Sequence, residues 1–231
     1  ATEVRETVAG LADARRDAGV RFVFHLLARL PLAARADGDF SLALRDEGVT
    51  VPPEPSFYDL IGGFAEAVDD HLLRAGGRTD FAEMAQMAAA ESLAAVARAG
   101  SAILYGTTAT EVRETVAGLA TERGFADLAH GFFARLIERF LNYHLSRELS
   151  AHVGPGRRFA DIDAHEAFAG ELRTTAEEMA VIVRRFAGQW YGKTRYETGV
   201  TPAKARDFVH GAFTKIGDEL ARRGGASAQA S

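Results

Sequence analysis

Apolar residues recur at helical spacing along almost the whole chain, and the densest pattern falls in residues 122–153, ERGFADLAHGFFARLIERFLNYHLSRELSAHV, a run without proline. On a wheel at about 100° per residue, Phe132, Phe133, Leu136, Ile137, Phe140, Leu141, Leu145 and Leu149 share one broad arc. Arg135, Glu138, Asn142 and Ser146 lie opposite. The pattern predicts one long buried helix around which the rest of the chain packs.

The flanking stretches read the same way. Val20–Leu30 is apolar on nearly every side, a buried helix with a strand as the alternative, and is expected to end before Pro31. Asp39–Glu47 predicts a short helix closed by Gly48, and VTVPPEPS (49–56) an extended connector stiffened by its prolines. Ser56 with Asp59 makes a capping box for a helix whose face is Phe57, Leu60, Ile61, Phe64 and Val68. Its mid-helix Gly62-Gly63 implies a second helix crossing closely there. Asp80 and Glu83 begin a helix through Ala99, with Met84, Met87 and Ala88 inward and Glu91 at the centre of that face. Asp163 and Glu166 cap a helix through Tyr191 that buries Phe168, Leu172, Met179, Val183, Phe186 and Trp190. Thr201-Pro202 opens a last helix packing through Phe208, Val209, Ala212, Phe213, Ile216 and Leu220. The fold expected is all-α, a bundle of about seven to nine helices around 122–153.

Residues 99–108, AGSAILYGTT, are the best internal boundary, dividing an N-terminal helical part (1–100) from a C-terminal one (109–223) within what can also be a single domain. The tail 224–231 is expected to be disordered. Residues 1–12, ATEVRETVAGLA, recur without a mismatch at 109–120, after which the copies diverge. A repeat fold shows graded resemblance over its whole unit, so this is a local duplication or an artefact of the sequence, not a solenoid. Val4, Val8 and Leu11, like Val112, Val116 and Leu119, make a narrow helical stripe.

One polar constellation interrupts the central arc. His144, Glu148 and His152 stand four residues apart inside it, with His130 on the same side, and a buried carboxylate requires a partner. The row offers ligand types suited to a divalent metal, zinc, iron or manganese. Residues eight apart are separated by about 12 Å along the axis, so one ion cannot take both His144 and His152 without ligands from another helix. The alternative is a hydrogen-bonded network. His71 and Glu91, also on buried faces, are the other candidate ligands, and His25 is expected to bond a carbonyl. A second constellation, Tyr191, Lys193, Arg195 and Tyr196 beside Trp190, suits a partner surface, with Trp190 mainly core. The segment GQWYGKT (188–194) falls short of a phosphate loop, having three residues where four are required before Gly192-Lys193-Thr194 and following a helix.

Composition narrows the classes. With 231 residues, 47% of them hydrophobic, the chain can bury a sizeable core, and with no cysteine it has no disulfide, thiolate metal site or thiol nucleophile. No run reaches a membrane span and the first residues do not form a signal peptide, so a cytoplasmic location is expected. The start at Ala1 leaves a processed end or an excised piece open. Net charge is −5, and the Arg-rich residues 157–223 are nearly balanced, which disfavours nucleic acid. Arginine far outnumbers lysine, and with abundant Ala and Gly this points to a GC-rich bacterial genome. No local catalytic signature is present. The first functional expectation is a non-catalytic interaction or regulatory protein of a bacterial cytoplasmic multi-protein system, with a protein partner or a homo-oligomer. The second is a metal- or small-molecule-binding bundle, with enzymatic activity open, centred on His144, Glu148 and His152. The third is a nucleic-acid-binding helical protein. Its cofactor is unknown from sequence.

Overall fold

The computed structural model describes residues 10–100, 108–149, 162–197 and 199–229, apart from the side chains of 144–149, 162–169 and 223–229. Among these residues every regular element is helical. A helical turn at 10–14 leads into α1 (Ala18–Arg35), α2 (Phe40–Asp46), α3 (Phe57–Arg74), α4 (Asp80–Ala99), α5 (Ala109–Gly118), α6 (Glu122–Leu149), α7 (Ile162–Glu197) and α8 (Pro202–Gln229). Within the described residues no helix is long and apolar enough to cross a membrane.

α1 is buried over most of its surface, leaving a half-exposed strip of Arg21, His25, Arg29 and Leu32, and packs against α2, α3, α4, α5 and α8. The ring of Phe24 is its focus, meeting Phe125, Phe132 and Phe133 of α6, Trp190 of α7 and Phe208 of α8. The helix does not stop at Pro31 as expected. Proline removes the hydrogen bond to the Leu27 carbonyl, at a cost of roughly 3 kcal/mol, but Leu30, Pro31, Ala33 and Ala34 are all buried, and that packing carries the helix to Arg35. Its free C-terminal carbonyls are then met from α5. Arg113 donates to Ala34 O and Gly38 O at 2.9 Å each, and to Ala36 O.

α6 buries the arc read from its sequence, Phe125 through Leu141, and lies between α4 and α7 with both neighbours antiparallel to it. The register with α7 is set by Asp127 and Arg184 (2.6 Å), His130 and the Glu177 carbonyl (3.2 Å), and Glu138 and Arg173 (3.1 Å). Gly188 permits a close backbone approach, since a Cβ there would stand 2.6 Å from Glu122 O. The register with α4 runs from Asp80 beside Tyr143 to Glu91 beside Arg139 and Arg135.

Several faces sit one position from where the pattern placed them. The buried line of α7 is Ala176, Met179, Ala180, Val183, Ala187 and Tyr191, with Leu172, Phe186 and Trp190 on its flank. α4 is capped by Thr79, which accepts from Ala82 N at 3.0 Å, and it buries Met84, Ala85, Ala88 and Ala89 while Met87 and Glu91 point outward. In α3 the capping box forms as read, and hydrogen bonds from the Ser56 hydroxyl and N–H hold the Asp59 carboxyl below its ordinary range. What crosses at Gly63 is the extended connector, through the Thr50 carbonyl, not another helix, while Gly62 faces open space. The last helix runs on to Gln229, past the point where a disordered tail was expected.

Candidate functional site

The central His/Glu row lies largely beyond description. His144 and Glu148 are on the α6 backbone but their side chains are outside the described residues, as is His152 altogether. The side chains of the expected cap, Asp163 and Glu166, are outside the described residues too. The remaining candidate ligands are apart. His130 faces α7, where its Nε2 bonds the Glu177 carbonyl, and His71 on α3 stacks flat on Phe22, with ring centroids 3.6 Å apart. Glu91 is the clear correction. Its side chain is 51% exposed and bound to arginines, because the inward face of α4 is formed by the alanines beside it. Among the described residues no group of three His, Asp or Glu side chains can hold a metal. His25 bonds the Val200 carbonyl at 3.2 Å, and since a carbonyl only accepts, Nε2 carries the hydrogen. Burial pushes the pKa of His25 down, and that of His71 likewise.

The aromatic and basic cluster divides into core and surface. Tyr191 is fully buried, which removes it from any partner surface, and burial pushes its hydroxyl pKa well above the usual phenol range. The hydroxyl donates to Ala28 O at 3.2 Å. Trp190 is half-buried against Phe24, Phe125 and Phe208. Arg195 donates to the Ala120 carbonyl at 2.6 Å and lays its guanidinium 5.5 Å from the ring of Tyr196, which is 84% exposed. Lys193 is exposed and pairs with Glu197 at 3.7 Å.

The polar feature that sequence reasoning missed lies on the outer face of α6. There α4 and α7 rise on either side and make a groove of about 460 Å³ lined by Glu91, Arg135, Glu138, Arg139, Arg173 and Glu177, together with Asn142. Each arginine is held by a carboxylate of a different helix: Arg139 and, at 3.9 Å, Arg135 by Glu91, and Arg173 by Glu138. Arg135 also donates to Gly131 O at 2.9 Å. Arg139 is three-quarters buried, its Nη1 lies 3.7 Å from the sulfur of Met87, and its Nε is buried with no hydrogen-bond partner among the described residues. Exposed Met87 and Tyr143 flank the groove, and the Tyr143 hydroxyl reaches Asp80 at 2.5 Å. The wheel placed Arg135, Glu138 and Asn142 opposite the core, which is correct. It gave no sign that two neighbouring helices would turn that face into the floor of a groove.

Comparison with protein-family models, with curated proteins and with solved structures finds no match. The chemistry on offer is therefore that of the residues themselves. Paired guanidiniums and carboxylates at half-burial can exchange partners with an incoming chain at little net cost, because each charge is already partly desolvated and oriented.

Proposed function

We propose that the chain is a helical interaction module, a regulatory component of a bacterial cytoplasmic multi-protein system, that recognises a partner protein through the groove between α4, α6 and α7. The observation that carries this reading is Arg139, whose Nε is buried without a partner among the described residues while its Nη2 is held by Glu91. A buried donor left unpaired is costly, and an acceptor supplied by a bound chain removes that cost. Met87 and Tyr143 beside it, one a flexible thioether and the other an amphipathic ring, add to arginine the residue types over-represented in protein interfaces. The fitting partner presents a carboxylate or an exposed backbone carbonyl next to an apolar side chain.

The test compares proteins co-purifying with the tagged full chain from its source cell. Arg139→Ala and Met87→Ala should each lose a partner that wild type and a distal surface variant, Tyr58→Ala, retain, with unchanged melting behaviour in all four. An identical set of partners across all four proteins would remove the groove from consideration.

A further inference from the structure

The identity of residues 1–12 with 109–120 gains a physical meaning from the seat of the second copy. In α5 Val112 and Val116 are fully buried and Leu119 nearly so, and Arg113 binds three carbonyls at the end of α1, those of Ala34, Ala36 and Gly38. These four contact residues have counterparts in Val4, Val8, Leu11 and Arg5. A seat that holds one copy offers the other the same contacts, so only the way each copy is tethered distinguishes them. We propose that the α5 seat on α1 is an exchangeable docking site, and that its second occupant is the N-terminal segment of another copy of this chain.

Geometry favours another molecule over the same one. Leu11 and Ala14 are buried, Leu11 borders the same crevice as Phe213 of α8, and Arg15 donates to Thr214 at 3.3 Å. These contacts hold residues 11–15 near the start of α1. The Arg113 acceptors are at its far end, about 24 Å along the axis over sixteen residues. To reach the seat within its own molecule, the N-terminal copy would have to give up the Leu11 site. Val4, Arg5 and Val8 all precede Leu11, so a neighbouring molecule can present them in place of Val112, Arg113 and Val116 and keep its own Leu11 where it is, giving up only the Leu119 contact.

The resident helix has the advantage of linkage, since a tethered segment acts at an effective concentration on the order of millimolar. Weakening the resident removes that advantage. A hydrogen bond from a charged donor is worth about tenfold or more in occupancy, and three of them converge on Arg113. Loss of Arg113 should therefore hand the seat to an intact Arg5 from a second molecule.

Sedimentation velocity on the full chain, from dilute to concentrated protein, tests this. Arg113→Ala, and the milder Arg113→Lys, which keeps the charge but not the planar fork, should shift towards dimer as concentration rises, and adding Arg5→Ala to either should return it to monomer. Folded Arg113 variants that remain monomeric at every concentration would overturn the proposal, and so would dimers indifferent to Arg5→Ala. A second measurement does not depend on how those variants fold. A fluorescent peptide of sequence 1–12, titrated into the millimolar range where it matches the tethered resident, should bind the wild-type chain at least tenfold more tightly than its Arg5→Ala form, and equal binding of the two peptides, or none by either at that concentration, would equally sink the idea.

Discussion

The ring of Tyr191 lies on the ring of Phe125, with centroids 3.9 Å apart and planes 10° from parallel, and this stack joins the end of α7 to the start of α6. Tyr191 is consequently a core residue with one satisfied polar atom. Tyr191→Phe should cost about 1 kcal/mol, the net worth of a buried neutral hydrogen bond, whereas Tyr191→Ala should cost about 3–5 kcal/mol through the cavity it leaves. Urea denaturation of both variants gives the comparison. An Ala variant as stable as wild type would return Tyr191 to the surface.

The adjacent glycines of α3 predict opposite effects of the same substitution. A Cβ at Gly62 meets nothing, so Gly62→Ala should raise stability by roughly 0.5–1 kcal/mol through lower unfolded-state entropy and better helix propensity. At Gly63 the new atom would collide with the Thr50 carbonyl, which is backbone and cannot move aside cheaply. Gly63→Ala should lower stability by about 1–3 kcal/mol. Thermal melts of the pair check both signs.

Two histidines make stability fall on mild acidification. Burial lowers the pKa of His25 and His71 below the ordinary 6.5, so the unfolded chain takes up protons first as pH drops. Their contribution is complete above that value and is lost as pH falls through their lower folded-state pKa values. Asp59 adds a separate acid leg. Its pKa is lowered from 3.8, so its contribution is present above that value and vanishes as pH falls through the depressed one. Melting temperature against pH should show both legs, and His71→Phe, which preserves the stack on Phe22, should reduce only the upper one.

Where a helix is apolar on one broad arc, as in α6 and α8, the sequence pattern located both the element and its buried face. The cap with a side-chain signature at Ser56 and Asp59 was equally legible. Misreadings came where small residues do the packing. Alanines line the buried faces of α4 and α7, and because they mark a wheel weakly, larger neighbours such as Met87 and Trp190 drew the inferred face sideways. That shift put Glu91 inside and Tyr191 outside, the reverse of their positions. Pro31 was overridden by burial, a tertiary effect that local propensity does not carry. The groove could not be read from any single helix, since Glu91, Arg139 and Arg173 come from three of them.

Within that groove, Glu91→Gln tests how the charges are held. Arg139 and Arg135 would lose their carboxylate, yet Glu91 itself is half exposed to solvent, so the stability cost should stay below about 1 kcal/mol. The difference from wild type should shrink in high salt, as screening weakens whatever the carboxylate contributed. A large loss that persists in high salt would mean that Glu91 is a structural member of the core.

The enclosure of α1 also fixes a timetable. A largely apolar helix that emerges from the ribosome ahead of its neighbours finds α2, α3 and α4 soon afterwards, but Phe208 of α8, which stacks on Phe24 at 4.8 Å, is made far later. At about 5–20 residues per second, the interval from the end of α1 to the start of α8 lasts on the order of ten to thirty seconds. During that interval one flank of α1 has no cover of its own, so a nascent chain stalled before α8 is a natural client for a holding chaperone.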